Sequence, residues 1–489
     1  MNQEDIYDGV TDVRDDLVEA AAPKKRALRL WMPLAAAAAV VLAVTALWPR
    51  IGGTAGGKAS PYLLSAAVYP EQAPYPRWED FIQEDGDIDY EAFSEADDKF
   101  FQDQHDRWES LSTQDGTLDG FYQRFSDFTQ RSMAQLLSGG EGENRVCSPV
   151  NLYMALAMLA ETTGGNSREQ ILQLVGYEDM ESLRAVAGRV FHGIYQDNGL
   201  KSVIPANSLW LNENVHFVQS TMDTLAQEYY ASSYRGEMGS AGLNQALQDW
   251  INDQTSELLA EQAEGLSLEP ETILALVSTL YFKARWFDEF SPENTAPDVF
   301  HAPSGDVTAD FMRQAQSGGY YWGEHFSAIT KSFIEYDSMW FILPDEGVDV
   351  EALLTDPEVA DMLHGREWKN SKYVDINLSM PKFDVSSDLD LTESLKALGI
   401  TDVFDPSLSD FSPMTKDADE IYLSQARHAA RVLVDEEGCQ AAAYNIMADV
   451  GMGGPPDEEV DFVLDRPFLF VITSDVGSLP LFAGIVNQP

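Results

Sequence analysis

With 489 residues, 44% of them hydrophobic and 11% aromatic, the chain is long enough to bury a large core. Its formal charge of −50 excludes nucleic acid, heparin and anionic membrane surfaces as ligands, and fits either solubility or attraction of a cationic partner. Two cysteines, Cys147 and Cys439, cannot build a disulfide framework; they read as free thiols, with a single bridge between them as the alternative.

Residues 1–29 read as a short acidic cytoplasmic tail. The run Leu30 to Trp48 carries no charge and has the length that crosses a bilayer. Trp31 and Trp48 mark its ends, and Lys24, Lys25, Arg26 and Arg29 crowd its N-terminal side. That bias places Met1 in the cytoplasm and everything after Arg50 outside, so residues 30–49 read as a single-pass anchor in the cell membrane. Removal as a signal peptide, giving a secreted protein, is the alternative. Ile51 to Ser60 is a glycine-rich linker. The acidic, aromatic stretch that follows, to about Gly116, reads as one or two helices of unassigned role, so that residues 50–117 form a linker or stalk.

From residue 118 to 489 the texture is that of one compact domain. Phe121 to Leu137 has the period of an amphipathic helix, Leu152 to Glu161 follows the start signal Ser148-Pro149, and Ser167 to Val175 is helical again. Strands are expected at Ser208 to Leu211, Ile273 to Phe282, Ser338 to Leu343 and Tyr373 to Phe383, then a helix from Asp388 to Leu398 ended by Gly399. Two further strands, Phe468 to Ile472 and Leu481 to Val486, close the chain. Helices dominate the first half and strands the second, which is an α+β fold with a large sheet.

One segment breaks this pattern. Glu436-Glu437-Gly438-Cys439-Gln440-Ala441-Ala442-Ala443 leads two carboxylates and a glycine into small residues, with no further charge until Asp449. Nothing bulky stands at its leading end, so as a strand it can slide between two existing strands. Gly451 to Pro456 follows, which suits an exposed loop and no regular element.

The block Asp465-Arg466-Pro467-Phe468-Leu469-Phe470 resembles the signature of the serpins. So do Cys147-Ser148-Pro149, Tyr281-Phe282-Lys283-Ala284-Arg285-Trp286, Met380-Pro381-Lys382-Phe383, Leu398-Gly399-Ile400-Thr401-Asp402 with Phe404, and Asp410-Phe411-Ser412, in order and spacing. The resemblance covers about residues 118–489 and, with the N-terminal layout, reads as a bacterial, membrane-anchored member.

The resemblance implies helices around a large central sheet, further sheets, and an exposed reactive-centre loop. It implies a suicide substrate for a serine protease, monomeric, trapped with its target as a covalent 1:1 complex, with no catalytic residue, metal or cofactor of its own. Glu436 to Ala443 then become the hinge of the loop, and the family's spacing puts the scissile bond between Met452 and Gly453, with Val450 and Gly451 as alternatives. An apolar Met there, and no Arg or Lys between Gly438 and Val463, points to elastase-, chymotrypsin- or subtilisin-like targets. Ser148, Asn151, Ser278 and His428 match the polar cluster where the sheet must part, with Asn151 and Ser278 exchanged relative to the family, and Trp286 matches the tryptophan beneath the loop's entry. Tyr444 and Asp449 depart from the small residues usual in an inserting strand.

Two rival readings have distinguishing features. A non-inhibitory serpin, acting as a surface binding module and cleaved as an ordinary substrate, would tend to carry charge or proline in the hinge. An enzyme would need a site, yet the chain has no HExxH and no GxSxG, and Cys439 lacks the cationic surroundings of a thiol nucleophile.

Overall fold

The computed structural model describes residues 60–83, 86–112, 120–140, 142–364, 370–417, 421–439, 458–475 and 477–489. The expected anchor, Gln440 to Ala443 of the hinge, and the reactive-bond candidates Val450 to Gly453 lie outside them. Among the described residues no helix is long and apolar enough to cross a membrane.

The acidic stretch before the domain holds a short strand β1 (Leu63–Ser65), a 3-10 turn (Trp78–Phe81) and helix α1 (Tyr90–Ser112). Helix α2 (Phe121–Leu137) has the bounds its periodicity predicts. Its Phe121, Phe125 and Phe128 line one face and meet the ring of Tyr153 at centroid distances of 6.1, 5.4 and 5.7 Å. After β2 (Arg145–Cys147) comes α3 (Pro149–Thr162), capped by Ser148, whose Oγ accepts from the amide of Asn151 at 3.3 Å, with Pro149 in the first turn. Nearly every residue of α3 is buried, as expected of a helix apolar on all sides. Helix α4 (Gly165–Val175) ends at Gly176, whose φ of 82° places it in the left-handed region.

Helix α5 (Met180–Ile194) leads through β3 (Gln196–Asp197) into β4 (Ser202–Asn212), followed by α6 (Gln219–Glu228), β5 (Ala231–Gly236), α7 (Ala241–Gln254) and α8 (Ala260–Glu264). Then come β6 (Leu274–Arg285), β7 (Ala296–Ala302), β8 (Gly305–Trp322), β9 (Phe326–Ser332), β10 (Ser338–Pro344) and α9 (Pro357–His364). The last elements are β11 (Ser371–Pro381), β12 (Phe383–Asp390), α10 (Thr392–Ala397), β13 (Leu423–Val434), β14 (Gly438–Cys439), β15 (Glu459–Val463), β16 (Phe468–Thr473) and β17 (Pro480–Val486).

Among the described residues the strands make two sheets. The first runs β1-β5-β4-β6-β14-β13-β12, with β3 on β4; the second runs β15-β11-β8-β9-β10-β16-β17-β2, with β7 on β8. Strands β4 and β6 are buried almost throughout, because the first sheet is covered on both faces. One face packs on the main core around α3. The other is crossed by α7, whose Leu243, Leu247, Trp250 and Ile251 form a second core with Ala206 and Trp210 of β4, Ala275 and Val277 of β6, and Ala429 of β13. The α+β architecture expected from sequence is the one found.

Two expectations need correction. The run Tyr373 to Phe383 is not one strand: the chain leaves the second sheet after Pro381 and enters the first at Phe383. Nor is Asp388 to Leu398 all helix. Asp388 to Asp390 finish β12, where Arg427 of β13 holds the Asp388 carboxylate across the ladder, and the helix starts only at Thr392, whose amide donates to Asp390 Oδ1 at 2.9 Å.

Lys201 and Asp337 are buried, their side chains at 1% and 0% exposure and 3.0 Å apart. Burial alone would depress the Lys201 ammonium, but Asp337, with Asp475 and Glu335 nearby, holds it above its ordinary value. Cys147 and Cys439 are both buried free thiols, and burial pushes Cys147 up to about 12.

Candidate functional site: the parted sheet and its hinge

Strands β6 and β13 pair in parallel from Leu274–Leu423 to Thr279–Ala429. Above that level no pair joins them among the described residues. At the top β14 stands between them: Gly438 pairs with Arg285, and Cys439 with both Ala284 of β6 and Val434 of β13, antiparallel to each. The sheet is thus shut below and parted above, with Gly438 and Cys439 of the expected hinge already built in as a strand.

The chain reaches this position through a tight turn. Asp435 Oδ1 accepts from the amides of Glu437 and Gly438 at 2.9 and 3.2 Å, and the amide of Asp435 donates to Gly438 O at 3.0 Å. Gly438 is required here by space. A Cβ on it would stand 2.3 Å from Ala284 O and 2.7 Å from Arg285 Cα, and backbone atoms cannot yield. Cys439 is 2% exposed and belongs to the main core. Its thiol sits far above the ordinary range, chiefly through burial, so it remains a small apolar side chain.

Trp286 lies against this turn. Its indole Nε1 donates to Asp435 O at 3.0 Å, its amide to Glu437 O at 3.0 Å, and its ring stacks on Phe333 at 4.3 Å. Lys331 is buried beside it, 5.5 Å above the Trp286 ring and 4.5 Å above that of Phe290. Burial brings the Lys331 ammonium down to about 8. Glu436 is clamped from outside: Lys382 Nζ lies 2.6 Å from Oε2, and Thr295 Oγ1 donates to Oε1 at 2.9 Å. Burial alone would raise the Glu436 carboxyl, yet these bonds hold it below its ordinary value. Asp435, Thr295 and Lys382 were not picked out from sequence as hinge contacts. The spacing Asp435-x-x-Gly438 was the available signal, being that of an Asx turn.

Further down, at the last closed pairs, the four expected polar residues meet. Asn151 Nδ2 donates to Ser278 Oγ and to Thr279 O, both at 2.6 Å. His428 pairs in register with Ser278, and its Nε2 accepts from the amide of Ser148 at 2.9 Å. The exchange of Asn and Ser keeps an amide and a hydroxyl in one network. Asn207 of β4 joins it through Asn151 Oδ1 at 3.4 Å, a partner that sequence spacing did not reveal. His428 is 0% exposed, its Nδ1 has no partner among the described residues, and burial lowers its imidazole to about 4, so it stands neutral. The network ties α3 to both strands at the level where they would part.

No cluster of three or more potential metal ligands occurs among the described residues. A family model described as "Serpin (serine protease inhibitor)" matches residues 123–489. Serpin-Z2B of Triticum aestivum is 28% identical over 365 residues, covering 71% of this chain and 90% of that protein. Neuroserpin of Mus musculus is 27% identical over 372 residues, covering 72% and 87%. The native-state crystal structure of a thermophilic serpin, tengpin, superposes with a TM-score of 0.68 at 24% identity, over 76% of this chain and 95% of that one. The fold, the parted sheet and the family match converge: the chain belongs to the serpin family.

Proposed function

We propose that this protein is a suicide-substrate inhibitor of a serine-type endopeptidase with an apolar primary pocket. The observation that carries this reading is β14: Gly438 and Cys439 already occupy the place of a new strand between β6 and β13. Continued in that register, Gln440 to Ala443 fall opposite Lys283 down to Leu280, within the length where β6 and β13 are unpaired. Tyr444 falls opposite Thr279 and is the first residue that has to part the closed ladder. The small side chains of the hinge therefore match the part of the sheet already open.

In the reaction, the serine Oγ of the protease attacks the Met452 carbonyl carbon. The Met452–Gly453 bond breaks, the proton passes to the leaving Gly453 amine, and Met452 is left as an ester on the enzyme. Water would release it, unless insertion of the cleaved loop first carries the protease away and distorts its active site. Insertion adds a full strand to a central sheet, which is the source of the driving force. Residues 30–49 would hold the inhibitor at the outer face of the membrane, with residues 118–489 as the inhibitory domain. The acidic body favours cationic proteases, and added salt should then slow association.

The test is incubation of the full chain with elastase, chymotrypsin, subtilisin and trypsin, followed by denaturing electrophoresis. The expected result is a stable adduct of summed mass with the apolar-preferring enzymes, and a released C-terminal fragment beginning at Gly453. Clean cleavage with no adduct and no gain in melting temperature would establish the non-inhibitory reading instead.

A further inference from the structure

The segment before the domain does more than connect. Strand β1 adds itself to the edge of the first sheet, with Leu63 opposite Tyr234 and Ser65 opposite Ser233 of β5, and the Arg235 amide donates to Tyr62 O at 2.7 Å. Tyr62 and Leu63 pack against the second core, the one formed between α7 and the sheet. Tyr62 fills a notch that two glycines leave open. A Cβ on Gly242, in the first turn of α7, would stand 2.3 Å from Tyr62 Oη, and one on Gly236 of β5 would stand 2.8 Å from Tyr62 Cδ1. At the other end of α7, Tyr69 Oη donates to Oε1 of Gln254, its last residue, at 3.3 Å. The Tyr69 ring is itself stacked on Phe191 and Tyr195, 5.9 and 5.3 Å away, at the end of α5 and just beyond.

This chain segment therefore touches both ends of α7 while pinned to the sheet edge and to α5. The second core beneath α7 includes Val277 of β6 and Ala429 of β13, the two strands that must separate. Ala429 pairs with Thr279, so a strand entering at that level has to push its outer-face side chains, Tyr444 first, under α7. We propose that residues 60–75 are a strap that restrains α7 and thereby sets the barrier to strand insertion, an inference that rests on the insertion mechanism proposed above. The strap acts in the intact protein before any protease arrives, and its loosening would speed both trapping and spontaneous self-insertion.

The strap can be locked and released in one molecule. In the full chain, Ser65→Cys with Ser233→Cys places two thiols at paired positions of the antiparallel ladder, beside a shift in its register, and formation of the bridge is checked by thiol titration before use. We expect the oxidised form to convert to the loop-inserted state on warming about tenfold more slowly than the same protein reduced, read on urea-gradient gels. In the opposite direction, Tyr62→Ala with Tyr69→Ala should convert about tenfold faster than the parent. Equal rates, within twofold, across the oxidised, reduced and alanine forms overturn the strap. A parallel measurement separates this from failure of the underlying reading. If loop cleavage raises the melting temperature of the parent while the strap variants behave alike, only the strap is wrong; if cleavage raises nothing, insertion fails and the strap with it.

Discussion

Acid should loosen this protein through one imidazole. His428 is fully buried at the closed end of the parted strands, where its Nε2 must be unprotonated to accept from the Ser148 amide. Burial lowers its pKa from 6.5 to about 4, with no charged neighbour contributing. Because the folded value lies below the unfolded one, the stability this residue contributes is complete above about pH 6.5 and is lost as pH falls towards 4. A change from 6.5 to about 4 corresponds to roughly 3 kcal/mol at about 1.36 kcal/mol per tenfold change in proton affinity, of which about 2 kcal/mol is lost by pH 5. The perturbation is His428→Gln, which keeps an acceptor for the Ser148 amide and cannot titrate. Denaturant unfolding of parent and variant at pH 7.5, 6.5, 5.5 and 5 gives the difference in stability at each pH, in which the contribution of the carboxylates cancels. The variant should gain on the parent by about 2 kcal/mol across that range. A difference that stays constant from pH 7.5 to 5 would refute the reasoning, since His428 would then not be the buried neutral group described.

Three further outcomes follow from the geometry. Gly438→Ala puts a Cβ against the backbone of Ala284 and Arg285, so β14 should be expelled at a cost of about 1–3 kcal/mol. On gels this should turn adduct into cleaved substrate, and an unchanged ratio of the two would contradict the fit of the hinge. Glu436→Lys should free the turn above Trp286 and speed spontaneous conversion; adding Lys382→Glu should restore the parent rate, because the clamp is the pair and not either charge. Lys201→Met leaves Asp337, whose carboxyl burial already pushes up to about 7, without its cation, and should lower unfolding stability by about 3–5 kcal/mol at pH 9, where the parent's carboxylate is charged. A loss under 1 kcal/mol would mean that Asp337 is protonated in the fold.

Much of this was legible in the chain, unevenly and for physical reasons. Helix α2 matches its expected bounds because its aromatic face repeats at the helical period, a signal carried by the residues themselves. The end of the expected strand Tyr373 to Phe383 is not legible locally, because alternation continues through Lys382, while the switch from one sheet to the other depends on which strand lies alongside. The site shows the same division. Ser148, Asn151, Ser278 and His428 were found through their motif positions, yet Asn207 was not, because nothing local in β4 marks it as the partner of a residue in α3. Lys382 lies inside a recognised motif, but its contact with Glu436 exists only because the fold brings the two together.

The sequence by itself determined the family and the α+β class, and it supplies the expectations that Glu436 to Ala443 can insert and that Met452 is the residue offered to a protease. Those are properties of side-chain size, charge and order, which the chain carries wherever it goes. Only the tertiary structure decided that the sheet stands open to Ala430 and shut from Ala429 down, that Gly438 is demanded by the backbone of Ala284, and that Tyr62 and Tyr69 meet the two ends of α7. These depend on which distant segments meet, and local propensity has no term for that.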